Sequence, residues 1–283
     1  MLGHEKDPDY LPLPIPWPKK IMVIGGGPAG CEAALEAKRR GHEVAIFDRN
    51  DRLGGQLLAA SGDTYGGFAY LSLIEWYEEQ IRRAGLDVYL NVEVTPEVIR
   101  KFWPDVAILA TGARVKGPDV PGIGNSNVYS AYDVLRDKVQ IKGPKVAILG
   151  ATTVGFAVGH RLHDMGKEVI FIETDPVEFK RDVIRNYAWR YRLWFKRTKD
   201  GVGSVTQAEV LSINDQGVKV RLAGGEEKMV EADAVVVVDR TSEQGLIDYL
   251  TENVDVLEIV GDAIQPRYIF TAVHEGFKAG RRV

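Results

Sequence analysis

The chain has 283 residues, of which 45% are hydrophobic and 27% charged, with a formal net charge of -4 and one cysteine. That length supports roughly two domains with buried cores, and the mildly acidic balance gives nucleic acid or an anionic membrane no electrostatic hold. One thiol makes neither an internal disulfide nor a Cys-x-x-Cys redox pair. With no apolar run near the roughly 20 residues of a spanning helix and no secretory leader, a cytoplasmic protein is expected.

Residues 1–18 carry Pro12, Pro14, Pro16 and Pro18, which suit an extended arm. Residues 20–24 are an apolar run entering glycines directly, as a buried parallel strand does before a phosphate-binding turn, and a helix is predicted over 29–40. The turn is Gly25-Gly26-Gly27-Pro28-Ala29-Gly30. Backbone N–H groups at a helix N-terminus stabilise a dinucleotide diphosphate, and only glycine lets the chain come that close. Gly25 permits the tight turn, Gly27 removes a side chain that would meet the phosphate, and Gly30 lets the helix pack on the strand, with Pro28 and Ala29 opening it. Asp48, ending the next strand, is placed to accept hydrogen bonds from the adenosine ribose, with Arg49 beside it.

Arg52-Leu53-Gly54-Gly55-Gln56-Leu57 follows where a loop would run along the rest of a long cofactor, making Arg52, Gly55, Gln56 and Leu57 candidate contacts. Strand-like residues 104–110 end in the turn Ala110-Thr111-Gly112. The sequence then repeats itself at an offset of 125 residues: Gly25 falls on Gly150, Gly30 on Gly155, Gly41 on Gly166 and Asp48 on Glu173. Two βαβ nucleotide folds are therefore expected.

The second loop, Gly150-Ala151-Thr152-Thr153-Val154-Gly155, departs from the first by placing β-branched Thr152 where Gly27 stands. Val238-Asp239-Arg240 likewise replaces the Ala110-Thr111-Gly112 turn. A weakened or relocated nicotinamide site and a purely structural domain both remain open, and Glu173 would repel a 2′-phosphate, favouring NAD(H) over NADP(H).

Residues 179–197 interleave seven basic side chains with Tyr187, Trp189, Tyr191, Trp194 and Phe195. They read as a helix with a solvated basic face and packed aromatics, or more sharply as a docking surface for an acidic partner. Residues 205–230 alternate around Asp215-Gln216-Gly217 and Gly224-Gly225, predicting a three-stranded antiparallel meander. The ending, Gly261-Asp262-Ala263 and then a helix, shows no second-half partner and is expected to return to the first domain. There Asp262 would face a ribityl chain and the helix N-terminus a flavin ring. Five scattered histidines give no metal cluster, and His160 with His163 read as surface residues.

These motifs, with Gly261-Asp262-Ala263-Ile264-Gln265-Pro266-Arg267 and His274-Glu275-Gly276-Phe277, resemble the two-dinucleotide-fold flavoproteins. They are similar to the C-terminal half of the trimethylamine dehydrogenase and 2,4-dienoyl-CoA reductase group of old yellow enzyme relatives. In that group a TIM barrel with FMN and an iron–sulfur cluster precedes these domains. This sequence carries no barrel and no cluster cysteines, so the resemblance implies a partner subunit holding the substrate site.

The expected fold is α/β, two Rossmann-like three-layer domains with the second inserted in the first and an antiparallel meander. Residues 19–115 with 240–283 would bind FAD, or its ADP half alone, and 116–239 would form the NAD(H)-type domain. The expected function is electron transfer from NADH through FAD to the partner; a non-catalytic module holding ADP or inert FAD is the alternative. A self-contained reductase needs a substrate pocket that the sequence does not reveal.

Overall fold

The structure is a computed structural model that describes residues 17–175, 193–196 and 200–283, together with Ile15 and Thr198. The expected arm at 1–18 lies almost wholly outside the described residues, as does most of the basic segment at 179–197.

In chain order the elements begin with β1 (Lys20–Ile24), α1 (Pro28–Arg40), β2 (Glu43–Phe47), α2 (Leu57–Ala60), α3 (Gly67–Arg83), β3 (Asp87–Tyr89), α4 (Pro96–Phe102) and β4 (Val106–Leu109). After β5 (Ala113–Val115) come β6 (Val128–Ser130), α5 (Ala131–Leu135), β7 (Lys145–Leu149), α6 (Thr153–Asp164), β8 (Glu168–Ile172) and β9 (Val202–Val205). The antiparallel strands β10 (Ala208–Asn214), β11 (Gly217–Leu222) and β12 (Glu227–Glu231) precede β13 (Ala234–Val237). β14 (Arg240–Ser242), α7 (Ile247–Asn253), β15 (Val256–Ile259) and α8 (Ile269–Arg282) close the chain.

The chain divides into two compact units: Met1–Leu58, Leu71–Arg114 and Thr241–Val283 form unit 1, and Ala59–Tyr70 with Val115–Arg240 form unit 2. Unit 1 holds the sheet β15-β4-β1-β2-β3, and unit 2 the sheet β6-β13-β7-β8-β9. All strand pairs in both sheets are parallel. Strands such as Lys20–Ile24 and Lys145–Leu149 are nearly unbroken apolar runs because both their faces are covered.

In unit 1, Ile21 and Val23 point into a core shared with α1, α3 and α8, whereas Met22 and Ile24 point to the opposite face, against Ile99 of α4 and Leu250 of α7. In unit 2, Val146 and Ile148 pack on α6, and Ala147 and Leu149 pack on the meander β10–β12. The third layer of unit 2 is thus antiparallel strand. Trp194 joins the α6 core, with its ring centroid 6.5 Å from that of Phe156, so at least this aromatic of the basic segment is a packing residue.

Two sequence expectations change here. Residues 59–70 belong with unit 2, because Ala59 and Tyr65 pack in the α6 core and Arg161 Nη1 donates to the Gly62 carbonyl at 2.9 Å. The ending without a second-half partner is preceded by β15, and this strand does have a counterpart in position: β15 lies beside β4 as β6 lies beside β13. The equivalent strand comes last in unit 1 and first in unit 2, so a fixed-offset repeat cannot detect it.

Candidate functional site

The glycine turn sits at the carboxyl end of β1 and leads straight into α1. Gly25 (φ +109°) needs a left-handed backbone, and a Cβ there would stand 2.3 Å from the Ala110 carbonyl oxygen. A Cβ on Gly30 would stand 1.9 Å from the Gly25 oxygen. Packing alone therefore demands both glycines. Gly27 differs: its angles, φ -77° and ψ -178°, suit any residue, and a Cβ would find nothing nearer than the Gly55 Cα at 3.8 Å. Among the described residues no atom excludes a Cβ at Gly27, so packing does not require glycine there.

Gly27 is also the N-cap of α1 and offers no side-chain hydrogen bond, Pro28 occupies the first turn, and no acid lies in that turn. Unpaired amides and the positive dipole end thus face the cradle that a Cβ would fill. Asp48, 6% exposed, shapes this turn: its Oδ2 accepts the Gly26 N–H at 2.6 Å and its Oδ1 the Asn50 N–H at 2.7 Å. Ala29 lies against α8, where a Cβ on Gly276 would approach the Ala29 oxygen to 2.1 Å.

Several predicted residues converge further along the same unit. A Cβ on Gly55 (φ +53°) would reach 2.9 Å from the Gly27 Cα, while Leu57, two residues on, is buried. Gln56 Nε2 donates to Asp262 Oδ2 at 3.0 Å, and a Cβ on Gly112 would lie 3.3 Å from that same Nε2. Asp262 Oδ1 accepts the Arg267 N–H at 2.8 Å, and Ser242 Oγ donates to the Asp262 carbonyl at 2.7 Å. Gly261 (φ +66°) opens a 3-10 turn through Ala263, and its N–H donates to Glu275 Oε2 at 2.9 Å. Buried Ala110 closes the turn after β4.

Others are held by the protein. Arg52 pairs with Glu78 through two hydrogen bonds of 2.7 and 2.8 Å, and Arg49 pairs with Glu243 at 2.9 Å. Thr111 Oγ1 donates to the Glu243 carbonyl at 2.6 Å. Glu243 and Glu275 are supporting residues that the motifs did not reveal. Glu275 lay inside a noted segment, but its ion pair with Arg267, at 2.8 Å, is visible only once α8 is placed.

The second loop has the same skeleton. Gly150 (φ +120°) and Gly155 are again demanded by packing, with a Cβ on Gly155 coming 2.2 Å from the Gly150 oxygen. Glu173 Oε2 accepts the Ala151 N–H at 2.9 Å, as Asp48 does with Gly26, and its Oε1 accepts the Thr174 N–H at 2.9 Å. Thr152 is the N-cap of α6, and its hydroxyl accepts the Gly155 N–H at 3.1 Å; Thr153 and Val154 follow it in the first turn.

Cys31 is fully buried, its Sγ donates to the Gly26 carbonyl at 3.2 Å, and burial pushes its thiol far above the usual range. It braces the loop as a neutral group. His160, expected at the surface, is instead buried, its ring centroid 4.1 Å from Tyr65 and 5.0 Å from Trp194, and burial lowers its pKa. Among the described residues no three His, Cys, Asp or Glu side chains cluster as metal ligands, and no helix is long and apolar enough to cross a membrane. A cleft lined by Trp103, Asp105, Tyr249 and Asp255 lies at the amino ends of β4 and β15, the opposite sheet end from the glycine turn.

Two parallel sheets, each with a glycine turn, a following helix and an acid holding the turn, define a paired dinucleotide fold of the oxidoreductase kind. Residues 19–246 match the family described as Pyridine nucleotide-disulphide oxidoreductase, and the chain belongs to that family. An NADH oxidase of Thermoanaerobacter brockii is 32% identical over 275 residues, covering 95% of this chain and 41% of that protein. A cinnamate reductase of Clostridium sporogenes is 30% identical over 274 residues, 94% of this chain and 39% of that one. A 2-naphthoyl-CoA reductase complexed with 2-naphthoyl-CoA superposes with a TM-score of 0.89 at 31% identity, covering 98% of this chain and 42% of the other. The chain thus spans about two-fifths of the length of these relatives.

Proposed function

We propose that unit 1 holds FAD and that the chain exchanges electrons between it and a partner carrying the substrate site. The observation behind this reading is Gly27, a glycine that protein packing does not require, at an uncapped helix start. The residues fit the group. The turn from Gly25 to Gly30 would hold the diphosphate on main-chain N–H groups, and Asp48 would meet the ribose with the acceptor capacity its three internal bonds leave. Gln56, Gly112 and the turn from Gly261 to Ala263 would line the more distant part of the cofactor. Bound there, FAD supplies hydride and single-electron chemistry.

The chain's own work is positional. Asp48 fixes the Gly26 amide, Cys31 braces the Gly26 carbonyl, and Asp262 ties Gln56 to Arg267, so the cradle is shaped before a ligand arrives. α8 begins at Ile269 after Tyr268 without a side-chain cap, which leaves donors to favour negative charge on a reduced ring. The partner is proposed because the relatives are more than twice this length, one of them a cinnamate reductase by name. NADH is the proposed reductant, with Glu173 disfavouring a 2′-phosphate.

The test is a visible spectrum of the purified full chain and its anaerobic bleaching by NADH against NADPH. Bleaching by NADH first supports the reading. One observation favours the second reading, a non-catalytic module holding ADP or inert FAD: the hydroxyl of Thr152 caps the second loop. A colourless protein releasing ADP would decide for it.

A further inference from the structure

The loop of unit 2 that would take a second diphosphate is already satisfied by its own side chain. Thr152 (φ -83°, ψ 172°) has nearly the backbone of Gly27 (φ -77°, ψ -178°), and it stands at the same point of the repeat. In α1 that position contributes no side-chain bond. In α6 the Thr152 hydroxyl accepts the N–H of Gly155, the counterpart of Gly30, at 3.1 Å. The donor that an incoming phosphate oxygen would use is therefore in use, and a β-branched side chain with few alternative rotamers stands over it.

We propose that Thr152 sets the affinity of unit 2 for a nicotinamide dinucleotide, by acting as an internal substitute for the diphosphate. Binding must first break the Thr152 to Gly155 bond and rotate the hydroxyl away. The loop is otherwise intact: Gly150 and Gly155 make the turn, and Glu173 holds the Ala151 amide as Asp48 holds Gly26. The site is a complete diphosphate cradle with its mouth closed by one residue. This inference rests on the reading of unit 2 as the NADH site, and it identifies the residue that tunes that site.

The experiment uses the full chain loaded with FAD, so that the first loop is filled, and ADP-ribose as a probe with a diphosphate but no redox-active ring. Binding is followed at the Gly155 amide resonance, which reports this loop alone. Thr152→Gly is expected to tighten ADP-ribose by up to about fivefold, the worth of one typical N-cap hydrogen bond. Thr152→Ser, which keeps the hydroxyl and drops the methyl, is expected to bind like wild type. Glycine is a tolerated N-cap, so the first variant should fold, and an undisturbed amide spectrum without ligand checks it.

Equal affinity in wild type and Thr152→Gly, or no binding in any form, overturns the proposal. Tightening by Thr152→Ser as large as by Thr152→Gly also overturns it, since the methyl and not the hydrogen bond would then be the obstacle. Bleaching of the flavin by NADH is scored separately. Tightening of ADP-ribose without bleaching in any form rejects NADH as reductant and leaves the role of Thr152 standing.

Discussion

A Cβ built on Gly55 would stand 2.9 Å from the Cα of Gly27, so the segment after β2 lies directly along the glycine turn. The two glycines are not equivalent. Gly55 is excluded from bearing a side chain by Gly27, whereas a Cβ on Gly27 is hindered by no atom of the described residues. Its substitution therefore separates ligand binding from folding.

Gly27→Val should lose bound flavin yet keep a melting temperature within a few degrees of flavin-free wild type. Gly30→Val, whose Cβ would overlap the Gly25 oxygen at 1.9 Å, should be strongly destabilised, by roughly 3 kcal/mol or more. Thermal melts beside flavin absorbance check the pair, and equal loss of stability in both would remove the argument for a ligand at Gly27.

Gly276 and Gly280 let α8 approach α1 so closely that added Cβ atoms would lie 2.1 Å from the Ala29 oxygen and 2.5 Å from the Ala33 oxygen. Gly276→Val should destabilise unit 1 by about 2–4 kcal/mol, because it forces apart a packed helix pair that includes the first turn of α1. Urea denaturation measures it. A loss under about 0.5 kcal/mol would mean that α8 does not complete this unit.

Cys31 should resist thiol reagents in the native protein and react fully after denaturation, since the neutral buried thiol offers no thiolate. Cys31→Ala should retain flavin with a modest stability loss of about 1 kcal/mol. Rapid native labelling would contradict the bracing role assigned to it.

His42 is buried, with Nδ1 accepting the Lys19 N–H at 3.1 Å and Nε2 3.1 Å from the Val283 carbonyl oxygen; burial lowers its pKa below the ordinary 6.5. His160 is shifted the same way. A folded-state pKa below the unfolded value means that the unfolded chain takes the proton first as pH falls. Stability from these neutral rings is complete above about pH 6.5 and is lost as pH drops through the folded values. The melting temperature should fall between pH 7 and pH 5.5, and His42→Asn should shallow that slope. An unchanged slope in the variant would speak against this origin.

The parallel strands, both glycine turns, the 125-residue repeat and the meander were legible in sequence because each is written in local spacing and composition. What escaped depends on where distant segments return. The ion pairs of Arg49 with Glu243 and of Arg52 with Glu78 join segments far apart in sequence. His160 looked exposed because its covering residues, Tyr65 and Trp194, come from separate parts of the chain. At Thr152 the sequence flagged the missing glycine, but the fold is needed to show its hydroxyl accepting the Gly155 N–H and capping its own helix.

The most direct measurement is the absorbance and mass of whatever the purified full chain releases on denaturation. FAD in near-stoichiometric amount is predicted. A chain that releases no nucleotide and takes up none when incubated with FAD would contradict the assignment of unit 1.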